Sequence, residues 1–202
     1  MERTEVFLIR HATTAKVGKA LTGWLPGIPL DELGKAQARG LVERLRGVRI
    51  DAIWSSPLQR AMETAAPLSV DRGLEIQQNP EFGEVNFGAW QGRTLAELGP
   101  DPVFGRFHTY RSGTRAPGGE LMLETQARMV RGLLNLAAGH PGQSVAVFSH
   151  ADAIKCAIMH ALGVPIDFHH RLEIEPASVT VCHFQTEEIR VIRTNIKDDI
   201  QY

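Results

Sequence analysis

Three short stretches carry side chains that could do chemistry together. Glu5-Val-Phe-Leu-Ile-Arg-His-Ala-Thr-Thr14 sets a guanidinium and an imidazole side by side, with two hydroxyls just behind. Ser55-Ser-Pro57 is followed by Arg60, and Ser149 is followed by His150. Arginine presents a planar fork of N–H donors that matches anionic oxygens, and a neutral histidine offers a nitrogen lone pair as nucleophile or base. Arginine and histidine delivered together therefore suit an anion with a nucleophile or base beside it.

Each stretch stands behind an apolar run that must position it. Val6 to Ile9 is a continuous β-branched and aromatic run, the pattern of a strand buried on both faces of a parallel sheet. Ala52-Ile-Trp54 ends at Ser55-Ser56, and Pro57 then suits the first residue of a helix whose opening turn carries Arg60. Val145 to Phe148 hands the chain to Ser149 and His150, and a helix is predicted from Ala151 to Leu162. In open α/β sheets ligands bind beyond the carboxyl ends of the strands. If the three strands are parallel neighbours, Arg10, His11, Arg60 and His150 meet at one edge, with two helix N-termini aimed at the same spot. That is an electropositive pocket for a phosphate.

The order of these residues resembles the histidine phosphatase superfamily, in the branch that includes the cofactor-dependent phosphoglycerate mutases. The resemblance rests on Leu8-Ile-Arg-His11, Thr22-Gly-Trp24, Leu33-Gly34 with Gln37-Ala38, Ser55-Ser-Pro57 with Arg60 and Glu63-Thr64, Glu84-Val-Asn-Phe-Gly-Ala-Trp-Gln-Gly92, and Ser149-His150. It implies an α/β fold, a three-layer sandwich around a mostly parallel sheet with helices on both faces. It also implies a phosphate pocket in which His11 is phosphorylated in turn, with Thr22 and Gly23 as donors to the phosphate or to a substrate carboxylate. Ala12 stands where the family has glycine, and Ala151-Asp152 where small glycines are common. Ala12 is tolerated unless the loop demands a positive φ.

As nucleophile, His11 needs a neutral ring with one nitrogen aimed at phosphorus and the other held as donor, to a carbonyl in its own loop. Phosphoryl transfer spreads charge over the equatorial oxygens, so Arg10 and Arg60 carry most of the stabilisation, and His150 adds a third donor. Glu84 lies among Phe82, Gly83, Val85, Phe87 and Gly88, where desolvation would keep it protonated near neutrality. It is the candidate acid for the departing alcohol and then the base for the attacking water. Thr13 and Thr14 are further candidate donors. Arg106, His108, Arg111 and Arg115 make a stretch without acids, which is either a solvated helix face or a basic lid over an anionic substrate with Arg115 its substrate-binding candidate.

The 202 residues fit one domain, 1–202, large enough to bury its own core. Twenty-two basic and 23 acidic residues give no global field for nucleic acid or an acidic membrane, so the expected partner is a small phosphorylated molecule. Only two cysteines occur, Cys156 and Cys182, which excludes a disulfide framework. With no export segment and no apolar run near the ~20 residues that cross a bilayer, the expected location is cytoplasmic. His150 with Asp152, and Cys156 with His160, lack the partners of a three- or four-ligand site, so no metal and no cofactor is expected. The oligomeric state is open, a homo-oligomer included.

Lys16 to Pro29 reads as a loop folded over the pocket mouth. Asp31 caps a helix to about Arg46, and Pro67 interrupts or shortens the helix that begins at Pro57. Short helices are predicted over Thr94–Gly99 and Pro102–Tyr110, with the longest from Glu120 to Ala138. Strands are predicted over 75–79, 172–174, 178–184 and 189–194, with Glu187-Glu188 at a hairpin turn. The reading is metal-independent hydrolysis of small phosphate monoesters. A mutase is the alternative, and the short chain with no asparagine in Ala15–Ala20 counts against it. A non-catalytic phosphate-binding module is the third reading, and the intact set of five polar residues argues against it.

Overall fold

The computed structural model describes residues 2–186 and 188–200. In chain order the elements are β1 (Thr4–Arg10), α1 (Glu32–Arg44), β2 (Ala52–Ser55), α2 (Gln59–Arg72), β3 (Ile76–Gln78), α3 (Leu95–Leu98), α4 (Pro102–Thr109), α5 (Met122–Gly139), β4 (Ser144–Ser149), α6 (Ala151–Ala161), β5 (Val179–Gln185) and β6 (Glu188–Ile196). The strands form one sheet in the order β3-β2-β4-β1-β5-β6. β3, β2, β4 and β1 run parallel to their neighbours, whereas β5 is antiparallel to β1 and to β6. Arg10 stands opposite Ser149 in the β1–β4 register, so the two strands end level with each other.

Val6, Phe7, Leu8 and Ile9 are almost wholly buried, and the pleat sends them alternately to the two faces. Phe7 and Ile9 pack with Ala38 and Leu41 of α1, Leu45 just past its end, and Ala61, Ala65 and Leu68 of α2. Val6 and Leu8 pack with Met129 and Leu133 of α5 and Ile154 and Ile158 of α6. Full burial of one such side chain stabilises by roughly 1.5–3 kcal/mol, and this double covering yields the three-layer α/β architecture. A third cluster, with Phe87, Trp90, Phe104, Phe107 and Met159, packs the segment that carries α3 and α4 against α6.

Asp31 caps α1 as expected, its Oδ1 accepting from Gly34 N at 2.7 Å. Such a cap is worth about 1 kcal/mol. The α2 helix differs from expectation: it begins at Gln59 and runs through Pro67 to Arg72. Ala61, Ala65 and Leu68 on its buried face hold it against the sheet, which outweighs the ~3 kcal/mol cost of an internal proline. Residues 172–174 form no strand among the described residues; Ile174 O instead accepts from Arg10 NH1 at the end of β1, at 2.6 Å. Of the predicted hairpin turn, Glu187 lies outside the described residues, and Glu188 opens β6. The loop after β1 is pinned across the later chain, with Leu21 N donating to Arg93 O and Gly92 N to Leu21 O.

Candidate active site

β1 and β4 end side by side and deliver the two histidines together. His11 N donates to Ser149 O at 2.8 Å, and the His11 and His150 rings lie 5.2 Å apart between centroids, tilted by 58°. His11 Nδ1 is 2.7 Å from Ala12 O. A carbonyl can only accept, so Nδ1 carries the proton and Nε2 keeps its lone pair. His150 Nε2 lies 2.8 Å from Ser56 Oγ, while its Nδ1 is buried with no hydrogen-bond partner on the protein.

The loop behind His11 is held from two helices. Thr64 Oγ1 accepts from Ala12 N at 3.0 Å and donates to Arg60 O at 2.6 Å. Gln37 Oε1 accepts from both Thr13 N and Thr13 Oγ1. Ala12 is buried and is not among the positive-φ residues, so its methyl group meets no backbone objection. Thr14 is buried as well; its hydroxyl accepts from Lys16 N at 3.3 Å and stays within the loop.

Arg60 enters from the first turn of α2 and is 1% exposed. Its NH2 donates to Gly23 O at 2.8 Å, whereas Nε and NH1 have no protein acceptor. Arg10 Nε is likewise unpartnered. Buried donors without acceptors are uncommon in native structures, which makes these two guanidiniums candidates to meet an anion. Burial, then the Arg60 and Arg10 charges, hold His11 well below the usual histidine range, so its ring is neutral at physiological pH. Burial and Arg60 do the same to His150.

Glu84 is 8% exposed, and its Oε1 accepts from Val85 N at 3.0 Å. Burial and then the Asp152 carboxylate push it up to about 7, against the Val85 N–H, Arg60 and Arg10. The loop around it is clamped from behind. Arg128 of α5 donates to Glu81 O, Gly83 O and Glu84 O, and is itself held by Glu120 at 2.8 Å. Trp24 Nε1 donates to Glu84 O, and its ring lies so close to Gly83 that an added Cβ would stand 2.2 Å from Cζ2. Ser149 Oγ donates to Phe82 O at 2.7 Å and ties β4 to the same loop.

Arg10, His11 and Glu84 line a cleft of about 160 Å³ with Thr22, Gly23, Lys16, Leu21, Phe87 and Asp152, whereas Arg60 and His150 stand behind its lining and reach it through Gly23 O and the His11 ring. Gly23 adopts φ +46°, and a Cβ there would stand 2.3 Å from Gln91 Oε1. Arg115 is not brought to the cleft; it is half-exposed and bidentate to Glu124 at 2.6 Å. Arg111 is buried, with NH2 3.0 Å from His108 Nδ1 and its guanidinium over the Phe107 ring. Sequence reasoning put Lys16 and Leu21 in the loop over the pocket mouth without a binding role, gave Asp152 no part of its own and missed the Arg128 clamp. The clamp's partners are backbone carbonyls, which leave no mark in a sequence. A wider hollow of about 780 Å³ lies between α1 and α2, lined by Leu30, Ala38, Lys35, Arg39 and Glu63. It contains no histidine, so size alone does not locate the chemistry.

Residues 6–197 match the histidine phosphatase superfamily (branch 1). A bifunctional protein of Mycobacterium tuberculosis is 30% identical over 94% of this chain, which spans 53% of that relative's length. A probable phosphoglycerate mutase of Yersinia pestis is 29% identical over 90% of this chain and 85% of its own. A solved mycobacterial glucosyl-3-phosphoglycerate phosphatase superposes with a TM-score of 0.85 at 27% identity, covering 96% of this chain and 99% of its own. The matched residues run from the Arg10-His11 strand through His150 to β6, and this chain belongs to the histidine phosphatase superfamily.

Proposed function

We propose that the chain hydrolyses small phosphate monoesters through a phosphohistidine on His11. The observation that carries this reading is the free lone pair of His11 Nε2 beside buried guanidinium donors that have no protein acceptor. Nε2 attacks phosphorus, the bond from phosphorus to the ester oxygen breaks, and Glu84 gives its proton to the departing alkoxide. Water then attacks the phosphohistidine, the P–N bond breaks, and the water proton returns to Glu84. Inorganic phosphate leaves, and both residues are restored.

In this scheme Arg10 Nε, Arg60 Nε and NH1, and His150 Nδ1, which have no protein acceptor, are read as the donors to the phosphoryl oxygens as their charge grows. The N-termini of α2 and α6 add to the same field. With two guanidiniums supplying positive charge, the scheme has no metal in it. Thr22 and Gly23 line the cleft and are read as binding the phosphate or the rest of the substrate. Thr14 is read as shaping the loop, and Arg115 is read as structural.

A cleft of about 160 Å³ is well below the ~300–1,000 Å³ of drug-sized sites, which supports a small leaving alcohol. The likeness to a phosphatase of known structure supports hydrolysis, and residues 1–202 are read as one catalytic domain. A second reading, transfer of the phosphoryl group back to its substrate, is favoured by the relative described as a probable phosphoglycerate mutase. The test is a panel of phosphate monoesters assayed for phosphate release and for phosphoglycerate isomerisation, with and without a bisphosphoglycerate primer. Rapid quenching without acid follows the label. Phosphate release without primer stimulation, and label on His11 that is lost in His11→Ala, is the expected result. A primer-dependent isomerase rate above phosphate release, or label on another residue, refutes it.

A further inference from the structure

The cleft contains a second carboxylate that the scheme above does not use. Asp152 is the second residue of α6 and lines the cleft with Arg10, His11 and Glu84. Its side chain is 24% exposed, and its close ionic contact is His169 Nε2 at 3.4 Å, too long for a good hydrogen bond. That nitrogen is buried and has no hydrogen-bond partner of its own. Among the described residues no hydrogen bond to the protein holds the Asp152 carboxylate. Burial opposes its ionisation, but His169, Arg111, Lys155 and Arg10 outweigh burial and keep it below the usual range. Burial also drives the His169 ring down to about 4, so near neutrality the stabilising charges are Arg111, Lys155 and Arg10. The chain thus keeps an ionised acceptor in a pocket whose other ionisable walls are Arg10, Lys16 and Glu84, beside the neutral ring of His11.

Asp152 raises Glu84, but a carboxylate beside bound phosphate also repels it, and an attractive partner elsewhere on the substrate would offset that repulsion. Glu84 serves the ester oxygen, and the phosphoryl group is met by the arginines. What remains is the body of the leaving alcohol, and the acceptor lone pairs of Asp152 suit a donor there.

We propose that Asp152 is a specificity-determining residue that accepts a hydrogen bond from a hydroxyl or ammonium group on the leaving alcohol. The preferred substrates are then phosphate monoesters of polyols or amino alcohols, and esters of plain alkyl alcohols or of further acids are disfavoured. This rests on the phosphatase reading of the same cleft.

The test measures kcat/KM for 2-hydroxyethyl phosphate, O-phosphoethanolamine and ethyl phosphate, each relative to p-nitrophenyl phosphate, in the native chain, Asp152→Asn and Asp152→Leu. A charged hydrogen bond lost from the transition state should cut the two donor-bearing ratios in Asp152→Leu by roughly tenfold to a hundredfold more than the ethyl phosphate ratio, which falls only as far as Glu84 loses the push of Asp152. Asp152→Asn keeps an acceptor but no charge, so it should keep the hydroxyl preference and lose the ammonium one if the natural donor is an ammonium; loss of neither marks a hydroxyl. Circular dichroism and a melting curve establish that each variant is folded, and Asp152→Asn, nearly isosteric, serves if Asp152→Leu is not. Ratios unchanged in both variants, or a native preference for ethyl phosphate, overturn the inference while leaving hydrolysis intact. Phosphate release from none of the esters overturns the phosphatase reading and the inference with it.

Discussion

Glu84 offers the sharpest test, because its environment fixes the pH at which its proton is available. Burial, helped by Asp152, pushes it up to about 7. The acid form is then about nine-tenths populated near pH 6 and about one-tenth near pH 8. An alkyl alkoxide cannot leave without that proton, whereas p-nitrophenolate can. Above about pH 7, where both esters are dianions, kcat/KM for an alkyl phosphate should fall roughly tenfold per pH unit relative to p-nitrophenyl phosphate. Glu84→Gln should abolish that falling limb, because an amide does not titrate. The same change should cost the alkyl ester about 10²–10⁴-fold near pH 6 and the aryl ester far less. The assay is phosphate release from both esters across about pH 5.5 to 9 in both proteins. An alkyl-to-aryl ratio flat through pH 9 in the native chain, or a limb that survives in Glu84→Gln, refutes the assignment of Glu84 as the acid.

Arg60→Ala should lower kcat/KM by on the order of a hundredfold or more for every monoester, because its buried fork has donors to spare for the phosphoryl group. Arg115→Ala should leave turnover and stability near native, since it removes an exposed ion pair; equal losses in the two variants contradict the geometry. Glu84 should also impose a pH-dependent stability cost. The folded chain keeps its proton up to about pH 7 and the unfolded chain only to about 4.5, so stability is fullest below 4.5 and is lost as pH rises through 7. At about 1.36 kcal/mol per pH unit the loss reaches about 3 kcal/mol. Urea unfolding should show Glu84→Gln gaining on the native chain by up to that amount between about pH 4 and pH 8. Gly83→Ala places a Cβ 2.2 Å from the Trp24 ring, and should cost about 1–3 kcal/mol in unfolding and slow alkyl esters more than aryl ones. Native-like values for both measurements would mean that the loop does not position the acid.

The strand exits were legible because their signals are local. An apolar run that stops at Arg10-His11, at Ser55-Ser56 or at Ser149-His150 announces a buried strand and the polar group at its end. Glu84 was legible in direction too, since its apolar neighbours in sequence are neighbours in space. What was hidden depends on long-range packing. Arg115 reads as a lid cation beside Arg111, yet folding hands it to Glu124 on the first turn of α5 and buries Arg111 over Phe107. Asp152 looked like a departure at a glycine position, and only the placement of α6 beside β1 brings it into the cleft. Pro67 signals a break by its own chemistry, and the buried face around it overrides that signal.

The level ending of β1 and β4 has a consequence for how the molecule comes to be. Arg10 and Ser149 pair across the sheet although 139 positions separate them along the chain, and His11 N is tied to Ser149 O. A contact of such sequence separation forms only after the entropy of closing a very long loop has been met. A growing chain therefore cannot assemble the proposed anion site until β4 has been made and inserted between β1 and β2. On that reading phosphate affinity would report completed topology, and an oxyanion that binds only the finished arrangement would draw late intermediates toward the native state by mass action.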